Sequence, residues 1–337
     1  MRFCKKLIHF FLLCLLYMWN EPLLCPDDSR FVVLPVKYPD LYALYKKAVA
    51  SFWVSEEIDL SSDLGDWNKM EDGERHFISL ILAFFACMDG LINENICLRF
   101  FNDIQNSEAR LFYGFQVAME GVHQETYANL IDSYIVDFDE RDRLFNAINN
   151  YPCVKKKADW VKEHIQSSDS FAERLVAFIC VEGIHFSGVF CAIYWFKQRN
   201  MLKGLCFSNE LISRDEALHT EFGIAIYLKL RNKLSQEIVH KIIKESVDIE
   251  IEFICEALPC RLIGMNSGLM TKYIKFVADR VCIQLGYDKL YEESCPFSFM
   301  ETISVERKSN FFEVKVSEYA LATRDKVGDI FDFSADF

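Results

Sequence analysis

The chain has 337 residues, of which 51% are hydrophobic and only 7 are proline, so it can bury a large core with few breaks. A net charge of −13 without long basic blocks argues against a nucleic-acid-binding protein, because phosphate binding needs clusters of lysine and arginine. The 13 cysteines include no C-x-x-C pair, which gives no support to zinc-ribbon or thioredoxin-type sites and favours a reducing, cytoplasmic compartment.

The N-terminal segment, residues 1–25, favours a different compartment. A basic start leads into an apolar run that ends near residue 19, which is shorter than the roughly 20 apolar residues of a transmembrane helix. No small-residue cleavage site follows, since Asn20, Glu21 and Pro22 come next. We interpret the segment as an apolar extension that is an anchor, a signal-like sequence or a wrongly assigned gene start. Membrane contact is expected only if residues 1–19 are a genuine anchor.

Apolar residues recur at three- and four-residue spacing over most of the chain, and strand signals are nearly absent, which predicts an all-α protein. Asn106 or Ser107 is a plausible N-cap, as is Ser208 or Asn209, and the basic run at Lys155 is interpreted as a solvated helix start. The predicted helices are residues 40–53, 71–101, 106–136, 140–149, 154–165, 170–202, 207–231, 235–256 and 260–285.

These helices predict one bundle domain over residues 26–300. Between Leu175 and Phe196 the only charged residue is Glu182, so this helix is either a membrane span or the buried centre of a bundle. We favour the buried centre, because neighbouring apolar helices also carry carboxylates at mid-length. Beyond residue 300 the sequence is acidic and lacks an apolar stripe, which predicts a flexible tail over residues 301–337.

Carboxylates interrupt four of the apolar helices, where a lone buried charge would be costly. A shared cluster of cations would offset that cost. Two of the helices also present a histidine three residues after the glutamate, and this oxygen and nitrogen set suits two iron or manganese ions in a ferritin-like bundle. The predicted metal ligands are Asp89, Glu120, His123, Glu182, Glu216 and His219.

Two other Glu-x-x-His pairs are interpreted differently. Glu237 and His240 lie largely off the apolar face of their helix, so we expect a solvated pair. His185, which follows Glu182, is expected to support a ligand rather than to bind metal, because two imidazoles already come from other helices.

Tyr127 lies two helical turns after Glu120 and so returns to the same helix face. It is either a core tyrosine hydrogen-bonded to a carboxylate or a redox tyrosine that is oxidised to a neutral radical in a phenylalanine-rich pocket.

Six motifs together resemble the radical-generating small subunit of class I ribonucleotide reductase of the eukaryotic type, from about Arg30 to Phe337. The resemblance implies that the six predicted ligands bind iron, with manganese as a less favoured metal, and that Tyr127 carries the radical. At position 185 the sequence departs from that family, whose eukaryotic members typically carry phenylalanine. The motifs are "MDGLINEN", "YGFQVAMEGVHQETY", "VEGIHFSG", "FSNELISRDEALH", "EALPCRLIGMN" and "FVADRV".

The resemblance also implies a transfer route and partners. Trp53, Asp215 and His123 would form a hydrogen-bonded path from iron towards the surface, with Arg214 serving proton movement and Tyr319 relaying in the tail. The large subunit, which reduces ribonucleoside diphosphates to deoxyribonucleotides in a thioredoxin-dependent enzyme, would bind the C-terminal peptide, and a homodimer is expected. The anchors in that peptide would be Phe331, Phe333 and Phe337.

Three alternatives stay open at this point. One is another carboxylate-bridged di-iron oxidase or ferroxidase, one is a catalytically silent paralogue that only binds the large subunit, and one is a membrane di-iron oxidase.

Overall fold

A computed structural model describes residues 21–26, 28–166, 170–257 and 260–300, and within these ranges the chain is helical and contains no strand. The prediction of an all-α protein is therefore confirmed. The α-helices are α1 (Pro39–Ala50), α2 (Asp63–Trp67), α3 (Asp72–Asn95), α4 (Phe101–Asp103), α5 (Ser107–Tyr134), α6 (Phe138–Phe145), α7 (Ala147–Asn150), α8 (Pro152–Val161), α9 (Phe171–Cys180), α10 (Ser187–Gln198), α11 (Lys203–Lys229), α12 (Gln236–Ile251) and α13 (Ser267–Leu285).

The long helices pack side by side around an apolar core. α3 lies along α5, which also packs against α1, while α9 and α10 pack against α11. Stacked rings fill the spaces between helices, as where Phe112 of α5 meets Phe222 of α11 with centroids 3.7 Å apart. This arrangement brings the middles of α3, α5 and α11 together in the interior.

The predicted helix over residues 170–202 is interrupted in the structure. α9 ends at Cys180, a π-helical turn occupies Val181–His185, and α10 begins at Ser187. A π-helical turn inserts an extra residue into the helical register, which periodicity alone does not predict. Glu182 lies in this turn.

Two helices, Asp72–Asp103 and Phe171–Gln198, are long and apolar enough to cross a membrane by length and composition. In the second of them 94% of the apolar window is buried inside the protein. Core helices of soluble proteins have the same composition, so this feature is weak evidence for a membrane protein.

The start of α11 differs from the prediction. The helix begins at Lys203, so that Ser208 and Asn209 lie inside it and are buried. Asp63, which is distant in sequence, accepts hydrogen bonds from the backbone N–H groups of Gly204 and Leu205 at 2.9 Å. A cap supplied from another helix leaves no local signal at the N-terminus. The other predicted cap is confirmed, since Asn106 accepts from the N–H of Ala109 at 3.0 Å.

The interpretation of the basic run as a solvated helix start is wrong for Lys157, whose side chain is fully buried. It forms an ion pair with Glu250, whereas Lys155 and Lys156 are exposed.

The N-terminal part of the described chain packs into the bundle. Glu21 is buried and accepts from the N–H groups of Arg231 and Asn232 at 2.8 Å, and Leu23 and Leu24 are buried as well. Residues 1–20 and 301–337 lie outside the described residues, so the apolar extension and the flexible tail stay predictions.

Candidate metal centre

The structure brings all six predicted metal ligands together in the interior, and all six are buried. They form two overlapping groups, and within each group one ligand atom per residue lies within 4.8 Å of the others. Glu120 belongs to both groups, so its carboxylate lies where two metal ions would share a ligand. The groups are Asp89, Glu120 and His123, and Glu120, Glu182, Glu216 and His219.

Both histidines point Nδ1 into the cluster. His123 Nδ1 lies 3.3 Å from Glu120 Oε2 and 3.1 Å from Glu216 Oε1. His219 Nδ1 lies 3.0 Å from Glu120 Oε1 and 3.1 Å from Glu216 Oε2. The Glu-x-x-His spacing accounts for the contact within each pair, because residues three apart on a helix share a face, and the packing of α5 against α11 brings the two pairs together.

Several carboxylate oxygens in the cluster accept no hydrogen bond among the described residues. Asp89 Oδ2, Glu120 Oε2 and Glu182 Oε2 are all buried in this way. A buried acceptor without a donor is costly, and a cation would supply the missing interaction. The donor set, four carboxylates and two imidazoles, therefore fits a pair of divalent metal ions.

The electrostatics of the cluster follow from the crowding of like charges in a dry interior. Burial, and then the charge of neighbouring carboxylates, raises the pKa values of Asp89 and Glu182 well above their usual range. Burial alone would lower the pKa of His219, but Glu216 and Glu120 raise it to about 10. Burial would raise the pKa of Glu216, but the charge of His219 and the hydrogen bonds that Glu216 accepts hold that pKa below its usual range. Without a metal, protons bound by Asp89, Glu182 and His219 would offset the negative charge of the cluster.

Gln116 is a site residue that the sequence reasoning missed. Its Nε2 donates to Glu182 Oε1 at 2.9 Å and lies 3.3 Å from Glu120 Oε1, so it links two predicted ligands on different helices. It precedes Glu120 by four residues, and that helical spacing is the signal that could have identified it.

Tyr127 is buried beside the cluster, as its position two turns after Glu120 predicts. Burial and the charges of Asp89, Glu216 and Glu120 raise the pKa of its phenol well above the usual value. Phe85 stacks on its ring with centroids 4.5 Å apart and an interplanar angle of 1°. Phe85 in turn contacts the rings of Phe186 and Phe190, which completes an apolar wall.

Trp53, Asp215 and His123 form a continuous contact chain from the cluster. The indole Nε1 of Trp53 donates to Asp215 Oδ2 at 2.7 Å, and that oxygen lies 3.3 Å from His123 Nε2. The rings of Trp53 and His123 also stack with centroids 5.8 Å apart. Since His123 turns Nδ1 to the cluster and Nε2 to Asp215, it has the orientation usual for a metal-binding histidine supported by a carboxylate.

Arg214 lies at the outer end of this chain. Its Nη2 donates to Asp215 Oδ1 at 3.2 Å and to the carbonyl oxygen of Ser51 at 2.8 Å. Its side chain is 40% exposed, so it connects the buried Asp215 to solvent.

The remaining Glu-x-x-His pairs lie apart from the centre. His185 belongs to neither metal-binding group, and its ring packs on Trp160 with centroids 4.8 Å apart. Glu237 is exposed, and His240 Nε2 is 2.9 Å from the carbonyl oxygen of Asp288. The four remaining predicted site residues, in the C-terminal tail, lie outside the described residues: Tyr319, Phe331, Phe333 and Phe337.

The fold and the cluster define a class, the helical proteins in which carboxylates and histidines on packed helices hold two metal ions. The family model described as "Ribonucleotide reductase, small chain" matches residues 30–296. The chain is 57% identical to the ribonucleoside-diphosphate reductase small subunit of Dictyostelium discoideum, covering 89% of each sequence. It is 55% identical to the small chain of Trypanosoma brucei brucei, covering 94% of this chain and 96% of that one.

The comparison of structures agrees with this. The Rnr4 homodimer of the Saccharomyces cerevisiae ribonucleotide reductase superposes with a TM-score of 0.79 at 36% sequence identity, covering 94% of this chain and 99% of that one. The chain therefore belongs to the ribonucleotide reductase small-chain family, and its fold is the ferritin-like helical bundle. It is a small subunit of ribonucleoside-diphosphate reductase, the subunit that generates the radical.

Proposed function

We propose that Tyr127 is the residue that carries the radical, and that the six-residue cluster would hold a pair of iron ions, which with O2 would supply the oxidising equivalent. The observation that carries the proposal is the position of Tyr127. Its phenol is buried close enough to three predicted ligands for their charges to raise its pKa, and its ring stacks on that of Phe85. A tyrosine that only fills the core would need neither the neighbouring metal ligands nor a stacked phenylalanine.

The metal ions would be held by the six predicted ligands, Glu120 being common to both groups. Oxygen and imidazole donors suit both iron and manganese, and we propose iron because the sequence resembles iron-dependent relatives. When bound, the metals supply the oxidising power that the protein side chains lack.

The protein controls the proton and excludes water. Tyr127, like an ordinary tyrosine, is protonated at neutral pH, so its oxidation releases a proton together with an electron and leaves a neutral radical. The apolar wall of Phe85, Phe186 and Phe190 keeps water and reductants from the ring.

The path through His123, Asp215 and Trp53 is proposed as the route by which the oxidising equivalent leaves the centre. Its contacts of 3.3 Å and 2.7 Å support coupled movement of protons and electrons. Arg214 is proposed to assist proton exchange with solvent, which its hydrogen bond to Asp215 and its exposure support.

We further propose that the large subunit binds the C-terminal peptide through Phe331, Phe333 and Phe337, and that Tyr319 relays the oxidising equivalent there. Spaced aromatic anchors in an acidic tail support a peptide that orders on binding its partner. A homodimer is proposed from the likeness to the yeast homodimer, and a cytoplasmic location from the cysteine content. Subcellular fractionation tests the location, and recovery of the chain in membranes would contradict it.

The decisive experiment is low-temperature EPR after addition of Fe(II) and O2 to metal-free protein. We expect a tyrosyl doublet in the wild type and none in Tyr127→Phe, which still takes up two equivalents of iron. A doublet that persists in the variant would contradict the assignment. Metal analysis of protein purified from its native cells would distinguish iron from manganese.

The partner assignment has its own test. Deletion of the last seven residues is expected to abolish nucleotide reduction with the large subunit and to leave iron uptake and the doublet intact. Full activity in the truncated protein would contradict the role of the tail.

A further inference from the structure

Two buried side chains of opposite charge face the break in the helix that carries Glu182. Lys157 of α8 and Glu250 of α12 are each fully buried and form an ion pair. Neither belongs to the metal-binding groups or to the Trp53 path. A buried ion pair is costly unless its remaining donors and acceptors are also satisfied, so the partners of this pair indicate what it does.

Those partners are backbone groups on the two sides of the junction between the π-helical turn, which ends at His185, and α10, which begins at Ser187. Lys157 Nζ donates to the carbonyl oxygen of His185 at 2.7 Å, and Glu250 Oε1 accepts from the N–H of Gly188 at 3.0 Å. Where one helical segment ends and another begins, carbonyl and N–H groups lose partners within the helix. Here a cation binds the carbonyl of the last residue of the turn, and an anion binds an N–H in the first turn of α10.

The pair is also held in a closely fitting site. The ammonium of Lys157 lies 4.0 Å from the ring centroid of Phe84 and 4.2 Å from that of Phe253. A Cβ atom at Gly188 would lie 2.6 Å from Glu250 Oε1, so the absence of a side chain there allows the carboxylate to reach the backbone. The two charged groups therefore have little room to move.

We propose that Lys157 and Glu250 are positioning residues for Glu182. By bridging His185 and Gly188 they fix the C-terminal end of the π-helical turn Val181–His185, and through it they orient the carboxylate that this turn carries into the cluster. The inference rests on the proposed role of Glu182 as a metal ligand. Because Glu182 belongs to only one of the two groups, loss of the pair affects one metal position and leaves the position formed by Asp89, Glu120 and His123.

The test is anaerobic titration of full-length, metal-free protein with Fe(II), with the number of equivalents and their affinities measured by equilibrium dialysis. In Lys157→Met one equivalent binds as in the wild type, and the second binds at least about 10-fold more weakly, the size of effect seen when a group supporting a ligand is lost. The double variant Lys157→Met/Glu250→Gln leaves no buried charge alone, so it folds even if the single variant does not. It is expected to show the same loss.

Asp279→Asn is the matched control. Asp279 is a buried carboxylate that also accepts from backbone N–H groups, but those groups belong to Leu290, Tyr291 and Glu293 and not to the π-helical turn or to α10. Its variant loses thermal stability and keeps both equivalents at wild-type affinity.

Two results would overturn the inference. One is wild-type affinity for both equivalents in both Lys157 variants, and the other is the same selective loss in Asp279→Asn, which would indicate general loosening. A wild type that takes up no metal would overturn the proposed function itself, and the inference with it.

Discussion

Trp53 and Asp215 are joined by a 2.7 Å hydrogen bond although 162 residues separate them in sequence. The bond fixes a buried indole at the end of a chain of contacts that starts at the metal cluster. Since Asp215 also contacts His123 and Arg214, this carboxylate is the point at which the buried centre and the solvent-facing side meet.

Replacement of Trp53 by Phe is expected to reduce nucleotide reduction with the large subunit by at least about 100-fold, because phenylalanine neither donates to Asp215 nor oxidises readily. Iron uptake should be unchanged. Trp195→Phe is the control, since Trp195 also donates its indole hydrogen bond, to the carbonyl oxygen of Ile263, away from the cluster. Steady-state assays that gave both variants equal activity would contradict the proposed route.

Phe85→Leu is expected to shorten the lifetime of the radical, because the smaller side chain opens space beside Tyr127. Both this variant and Phe100→Leu, a buried ring stacked on Tyr113 instead, should lose about 1–3 kcal/mol of unfolding free energy. Decay of the EPR signal at fixed temperature distinguishes them. If the two variants decayed at the same rate, stability rather than shielding would account for the effect.

Gln116→Leu is expected to weaken Fe(II) binding by about 10–100-fold, because two predicted ligands lose the amide that orients them. Gln124→Leu, on the same helix, is the control. The comparison is by competition with a metallochromic chelator, and equal affinities in the two variants would show that Gln116 has no orienting role.

Metal binding is expected to stabilise the protein, because the cation replaces repulsion between buried carboxylates with attraction. At a free Fe(II) concentration of 100 times Kd, the linkage relation gives about 2.7 kcal/mol for each site. Thermal unfolding with and without a chelator measures this shift in Tm.

Glu120→Ala removes the carboxylate that both groups share, so it is the control for the measurement of metal-dependent thermal stability. Metal should no longer raise the Tm of this variant, because both groups lose the carboxylate they share. A variant that was stabilised by metal as strongly as the wild type would show that the ions bind elsewhere.

Helical periodicity was sufficient to predict the long helices, because an amphipathic or wholly apolar segment has few other ways to bury its side chains. It did not predict the π-helical turn at Val181–His185 or the start of α11 at Lys203. Both depend on contacts from distant segments. Asp63 caps α11, and Lys157 with Glu250 satisfies the backbone at the helix break.

The residues around the metal centre also divide into those that local sequence identified and one that it did not. Asp89, Glu120, Glu182 and Glu216 could be recognised because each places a charge where only apolar residues are otherwise tolerated. Lys157 gave no such signal, since it ends a basic run that looks solvated, and only its buried position revealed its role.

The sequence by itself determined the all-α class, the residues able to bind metal and Tyr127 as the redox candidate, because spacing along a helix sets which side chains share a face. The tertiary structure decided which of these side chains are in contact. It joined Trp53 to Asp215, Gln116 to Glu182 and Lys157 to Glu250, and it separated Glu182 from His185, only three residues apart. Helix packing and burial fix such contacts between distant residues, and local sequence carries little information about either.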